Sequence, residues 1–168
     1  SAAIVSRGYE YAVTYLGFAL ALDPNEGDAW LALGQSLHEI GLQSAARDAW
    51  ARTPPETAAY AEAQVQLALS LEEAGEGAEA VRVAREAAGL GVAEAATAFT
   101  LAGLLNSQER YAEALEVLDG PALADLNTDW RVMFLRGAAH ERLGEHAQAE
   151  AAFQQALVLE PNSPEILN

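Results

Sequence analysis

Apolar residues recur along the chain at spacings of three and four, which is typical of amphipathic helices. Each apolar run is short, and it stops at a small turn before the pattern resumes. The stretch DAWLALGQSLHEIGLQSAARDAW, residues 28–50, shows two such runs on either side of Gly41. A glycine at this point suits the left-handed backbone that closes a helix. The pattern therefore predicts pairs of helices joined by tight turns.

The helix pairs recur with a period of 34 residues. One column of small residues repeats at this interval, with a single step of 35 at its end: Ala12, Ala46, Ala80, Ala114 and Ala149. Five residues before four of these alanines stand Gly41, Gly75, Glu109 and Gly144. Two leucine columns follow the same period, Leu33, Leu67 and Leu101, then Leu37, Leu71 and Leu105. Small side chains allow two helix axes to approach closely, so we expect the alanine column to be buried where helices cross.

These residues resemble the tetratricopeptide repeat family, whose pattern is Trp-x2-Leu-Gly-x2-Tyr, Ala-x3-Phe, then Ala and Pro. The best-preserved unit has Trp30, Leu33, Gly34, Leu37, Ala46 and Trp50. The last unit keeps Gly137, Gly144, Ala149, Phe153, Ala156 and Pro161, and the first keeps Ala12, Leu16, Ala19 and Pro24. The resemblance covers almost the whole chain. It implies an all-α fold, a right-handed α-solenoid of antiparallel helix pairs with about four full repeats and a partial N-terminal one.

We expect residues 1–168 to form a single solenoid. The predicted units are a partial one at about 1–26, full ones at 27–60, 61–94, 95–129 and 130–163, and a C-terminal helix that starts at Ser163 and Pro164. The third and fourth units are degenerate, with Gln64 and Ala98 where an aromatic residue is usual.

Two places depart from the repeat. Arg136 and His140 stand where the other units have leucines, and we expect Arg136 to extend to the surface rather than to pair with a buried carboxylate. The pair Gly120-Pro121 should end the preceding helix early.

Composition excludes several functions. The formal net charge of −16 disfavours nucleic acid, whose binding depends on cationic side chains. The chain has no cysteine and no lysine, and its three histidines lack metal-ligand spacing. No nucleophile or phosphate-binding motif is present, so we expect neither an enzyme nor a metal or cofactor.

The longest apolar run is too short to span a membrane. Because the chain starts at Ser1, it looks like a piece of a longer protein. We predict a cytoplasmic location, or a periplasmic one if a leader has been removed.

The resemblance implies that the first helix of each pair lines a concave groove. By helical phase, the residues that face outward are Leu31, Gln35, Val65, Gln66, Leu69, Phe99, Arg131 and Phe134. Acidic residues would form the rims: Asp28, Glu39, Glu62, Glu72, Glu73 and Glu141. We therefore predict a scaffold or adaptor that binds a basic or amphipathic peptide or helix of a partner protein. The alternative is that these columns only pack against neighbouring helices.

The family's best-known binding mode clamps the C-terminal carboxylates of chaperones and requires lysines and asparagines in the groove. Here the corresponding places hold Leu31, Ala32, Gln35, Glu62 and Gln66, so we do not expect this mode.

Two further hypotheses remain open. The first is self-assembly into homo-oligomers through end helices, because the stretch 9–22 is apolar on nearly every face and leaves Tyr11, Tyr15 and Phe18 without obvious cover. The second is a regulatory domain of a larger protein.

Overall fold

The structure, a computed structural model, is all helical over the residues that it describes, which are 2–91, 94–126 and 128–161. The helices of the described residues are α1 (Ala2–Leu22), α2 (Gly27–Glu39), α3 (Gln43–Ala51), α4 (Tyr60–Glu73), α5 (Gly77–Gly89), α6 (Glu94–Ser107), α7 (Tyr111–Leu118), a 3-10 helix (Pro121–Leu126), α8 (Trp130–Arg142) and α9 (His146–Leu159). The predicted all-α fold of helix pairs is confirmed. The helix expected from Ser163 lies outside the described residues.

The chain forms two compact units, Ser1–Ala87 and Ala88–Asn168. In the first unit, α2 contacts α1, α3 and α4, so the first helices of two successive pairs lie side by side. In the second unit, α6 contacts α7 and α8, and α8 contacts α9. Each unit therefore repeats the same local arrangement, in which a first helix contacts its own second helix and the first helix of the next pair.

The turns within the pairs are closed by one residue with left-handed backbone. The φ angle is 82° at Gly41, 78° at Gly75 and 77° at Gly144, and Glu109 adopts 59° in the remaining turn. In each turn the next N–H donates to a carbonyl five residues earlier: Leu42 to Leu37, Glu76 to Leu71, Arg110 to Leu105 and Glu145 to His140. This is the closure that the recurring glycines predicted.

Small residues allow the helices to cross closely. Ala46, Ala80 and Ala114 are fully buried, at 0% exposure, and Ala149 is 4% exposed. A Cβ on Gly34 would lie 2.3 Å from the indole nitrogen of Trp50, inside van der Waals contact. Four of the five alanines are therefore buried as predicted, whereas Ala12 on α1 is only half-buried.

Arg136 corrects one expectation, because its side chain does not extend to the surface. The side chain is only 18% exposed and pairs with the carboxylate of Asp119 at 2.9 Å. Its Nη2 also donates to the carbonyl of Leu118 at 2.9 Å. Because α7 ends at Leu118, a carbonyl and a carboxylate lie beside α8 and accept from Nη2 of the guanidinium, whereas its buried Nε has no hydrogen-bond partner among the described residues.

Two other helix boundaries can be compared with the sequence. The early end of α7 before Gly120-Pro121 is as predicted, and a 3-10 helix follows it. Helix α1 begins at Ala2. The apolar stretch 9–22 is the second part of a longer helix.

Ala80→Leu should lower the free energy of unfolding by roughly 1–3 kcal/mol, because the added atoms have no space at the crossing. Ala78→Leu, at an exposed position of the same helix, is the matched control and should change stability little. Urea denaturation measures both. Equal stability of the two variants would contradict the crossing geometry.

Gly137→Ala should destabilise the second unit, because the new Cβ would lie 2.7 Å from the ring of Phe153. Gly103→Ala is the opposite case, since a Cβ there meets nothing within 4 Å. Alanine in a helix should then stabilise by about 0.5–1 kcal/mol. Thermal unfolding of both variants should therefore give shifts of opposite sign, and shifts of the same sign would argue against close packing at Gly137.

Candidate functional site

The predicted binding residues of the first unit lie on α2 and α4, which are neighbours. Leu31, Val65 and Gln66 are half-buried, whereas Gln35 and Leu69 are exposed, Leu69 at 44%. The two helices are linked on this face, since the Gln35 amide donates to the carboxylate of Glu62 at 3.5 Å. We call the surface formed by Leu31, Gln35, Glu62, Val65, Gln66 and Leu69 the α2–α4 face.

The repeat explains why the side chains of the α2–α4 face point outward. The opposite sides of α2 and α4 carry the buried residues Gly34, Leu37, Leu67, Ala68 and Leu71. Because a helix has 3.6 residues per turn, burial of these positions fixes the direction of the others. The leucines and valine of the α2–α4 face are therefore additional to the core.

The charge around the α2–α4 face is negative. Helices α2 and α4 contain five carboxylates and no arginine: Asp28, Glu39, Glu62, Glu72 and Glu73. All except Glu72 are exposed. The resulting potential favours cationic groups and disfavours anions.

The predicted residues of the second unit play a different part. Phe99 and Phe134 are half-buried and pack against a core cluster that contains Met133. The Phe134 ring lies 5.7 Å from the ring of Phe153 on α9. These two phenylalanines therefore hold the unit together as well as presenting part of their surface.

Arg131 is exposed but engaged in local contacts. Its guanidinium lies 5.5 Å from the centre of the Phe99 ring, and it pairs with the carboxylate of Asp129 at 2.6 Å. Asp129 is also the N-cap of α8 and accepts the backbone N–H of Arg131 at 2.9 Å. The hydrogen bond with Arg131 lowers the pKa of Asp129 and raises the pKa of Arg131. The positive charge predicted for partner binding is thus largely compensated within the chain.

The exposed residues predicted for self-association lie on α1. Tyr11, Tyr15 and Phe18 all project from this helix, and Leu22 extends the same row, although the sequence reasoning did not include it. The signal for Leu22 was its spacing of four from Phe18, which places the two on one helix face.

The described residues contain neither a metal-binding group of side chains nor a membrane-spanning helix. Among 2–91, 94–126 and 128–161, no three histidine or acidic side chains are grouped so as to hold a metal ion. Within the same ranges, no helix has both the length and the apolar character needed to cross a membrane.

The fold and its outward faces define a helical-repeat protein, and comparison with known proteins identifies the family. A tetratricopeptide repeat model matches residues 1–64 and a second one matches residues 130–163. The chain belongs to the tetratricopeptide repeat family. No curated protein matches the chain.

Solved structures share the fold at low sequence identity. A crystal structure of MamA is 23% identical with a TM-score of 0.76, covering 91% of this chain and 89% of MamA. YrrB, described as a TPR protein with an unusual peptide-binding site, is 16% identical with a TM-score of 0.75, covering 99% of this chain and 86% of YrrB. The pilF protein of Pseudomonas aeruginosa is 19% identical with a TM-score of 0.69, covering 90% of this chain and 69% of pilF.

Family membership defines the general role. The protein is a protein–protein interaction scaffold and not an enzyme, because this family acts by binding other proteins.

Asp129→Asn should lower stability at neutral pH, because asparagine keeps the helix cap but loses the ion pair with Arg131. The native pKa of Asp129 is depressed, so the ionised carboxylate contributes stability above its unfolded pKa. This contribution is lost as the pH falls through the lower, native pKa. Urea denaturation of both proteins from pH 7 to about pH 3 should show the difference shrink, and a difference independent of pH would exclude the ion pair as its cause.

Proposed function

We propose that the α2–α4 face binds an amphipathic helix or extended peptide that carries basic residues. The observation that supports the proposal is the juxtaposition of Leu31, Val65 and Leu69 with carboxylates on two helices that contain no arginine. An apolar row recognises one side of a peptide, and the surrounding acids recognise lysines or arginines on its edges.

Energetics favour a contact centred on Leu69. This leucine is 44% exposed on α4, so covering it removes apolar surface from water at about 25 cal/mol per Å². Leu31 and Val65 are already half-buried, so they shape the surface beneath the peptide and add little newly buried apolar area. Gln35 and Glu62 offer hydrogen-bonding groups that a peptide backbone or a basic side chain would use in place of their long mutual contact.

In the second unit, Phe99, Arg131 and Phe134 are proposed as further peptide contacts. Since Phe99 and Phe134 also pack against the core of that unit, their replacement by glutamate would change folding and binding together. The first test of binding therefore belongs on the α2–α4 face.

One of the similar structures bears on the class of partner. YrrB is described as having an unusual peptide-binding site, and that description supports a peptide as the kind of ligand to test first. A cytoplasmic location, with a periplasmic one as the alternative, stays a prediction.

Leu69→Asn should weaken the binding of an amphipathic peptide about fivefold, by loss of apolar contact at the centre of the face. The probe is a fluorescent 20-residue helical peptide with leucines on one side and lysines on the other, measured by anisotropy. Leu42→Asn is the matched control, because Leu42 is exposed in the same unit but lies in the turn after α2. The control should bind as the wild type does.

The contribution of charge to peptide binding can be measured separately through its dependence on salt. Glu62→Gln should reduce affinity at low salt, and the difference from wild type should shrink as salt is raised. Equal losses in the Leu69 and Leu42 variants, or equal binding of a scrambled peptide of the same charge, would indicate nonspecific attraction to an acidic surface and contradict the proposal.

A further inference from the structure

Four large apolar side chains form an exposed row along α1. Tyr11 is 66% exposed, Tyr15 71%, Phe18 66% and Leu22 89%. Their spacings of four, three and four residues place them on one face of the helix, which we call the α1 stripe. On the other side, Leu20 is buried and α1 packs against α2.

The repeat fold does not require aromatic residues at these places. The positions equivalent to Tyr11 in later repeats include Glu79, Glu113 and Gln148, and those equivalent to Phe18 include Arg52, Glu86 and Gln155. Most of these polar residues are exposed although both helices of their repeats are present. A helix packed as in the other repeats would therefore leave Tyr11 and Phe18 uncovered.

Tyr15 differs from these two, because at the equivalent positions Ala49, Val83 and Ala152 are buried and Val117 is half-buried. Tyr15 itself is 71% exposed. The stripe thus combines one position that is normally packed with two that normally face water.

The charges at the two ends of the stripe complement each other. Arg7 lies on the same face, four residues before Tyr11, and it is exposed. The exposed acids Asp23 and Glu26 follow the other end of α1. Within 2–22 the only charged residues are Arg7 and Glu10, so α1 carries no net charge in a chain of net charge −16. A second copy meets less repulsion here than against an acidic face.

We propose that the α1 stripe is the interface of a homodimer, in which α1 pairs antiparallel with α1 of a second copy about a twofold axis. In a single register, the residues of the α1 stripe pair with one another across the twofold axis. Tyr11 lies opposite Leu22 of the second copy and Tyr15 lies opposite its Phe18. Arg7 then lies near the turn that follows α1 of the second copy, which carries Asp23 and Glu26. The twofold repeats each pair, so the surface is complementary to itself.

The available area suits a dimer of moderate affinity. A large aromatic side chain buries about 150–250 Å², so the exposed parts of the stripe amount to roughly 500 Å² per copy. The total of roughly 1,000 Å² is at the lower limit for a specific interface. A single exposed apolar patch of this size is near the maximum found on monomers.

One glycine at the edge of the α1 stripe favours close approach of a second helix. Gly8 is helical and exposed, it lies three residues before Tyr11, and a Cβ there would meet nothing within 4 Å. A glycine weakens an isolated helix relative to alanine. Among the described residues no contact explains Gly8, whereas Gly27 and Gly34 are each required by a close neighbour.

Sedimentation velocity of the 168-residue chain between about 1 and 200 µM tests the interface, a range that brackets the micromolar affinity expected for this area. The wild type should shift from monomer to dimer with concentration, and Tyr15→Glu and Phe18→Glu should each remain monomeric with unchanged helical content. Val158→Glu is the matched control, an exposed apolar residue on α9, and it should dimerise normally. A monomeric wild type, dimerisation of the Tyr15 and Phe18 variants, or loss of the dimer in the Val158 variant would each overturn the proposal.

Charge reversal tests the register. Arg7→Glu and Glu26→Arg should each raise the dissociation constant about tenfold, because like charges then meet at both ends of the pair. Glu26 makes no side-chain capping bond to α2, so its replacement removes no capping hydrogen bond. The double variant should recover wild-type affinity. Failure of the double variant to recover would exclude the antiparallel register.

Discussion

The structure depends on how closely the two helices of each pair approach. Gly34 lies under Trp50, and Gly137 lies under Phe153, at separations where no Cβ would fit without displacement. The fully buried alanines make the same contact possible in the other pairs. Once this contact is made, the rotation of each helix about its axis is fixed, because the small residue must face its partner. Every outward side chain takes its direction from that constraint.

The turns transmit the constraint along the chain. A left-handed residue closes each pair, and the same five-residue hydrogen bond follows it, even where Glu109 replaces glycine. A turn of constant length keeps the two helices in phase. The first helices of neighbouring pairs then present equivalent positions, such as Leu31 and Val65, on a common face. An interaction surface in this family thus arises as a by-product of the packing rule, and its chemistry is free to vary.

The period, the turns and the buried alanine column could be predicted from the sequence, because each is a local pattern repeated several times. The state of Arg136 could not, since it depends on the carbonyl of Leu118 and the carboxylate of Asp119, which become available only where α7 ends. Phe99 and Phe134 have the outward phase expected of groove residues. Both pack against a core cluster that includes Leu123 of the 3-10 helix, and Phe134 also contacts Phe153 on α9. Helical phase alone does not describe these contacts with other elements.

The arginines explain why an acidic chain has surfaces of different character. Ion pairs in the described residues include Arg47 with Glu76, Arg82 with Glu79 and Glu86, Arg110 with Glu113, Arg131 with Asp129, and Arg136 with Asp119. Most are exposed and add little stability, but they cancel charge on α3, α5, α7 and α8. None of these named pairs involves a carboxylate of α2 or α4, and α1 contains only Arg7 and Glu10 as charged residues. An acidic face repels a second acidic copy while it attracts a basic peptide, whereas the neutral α1 stripe does neither. The two proposed surfaces of this unit therefore differ in the charge of the partner that each one favours.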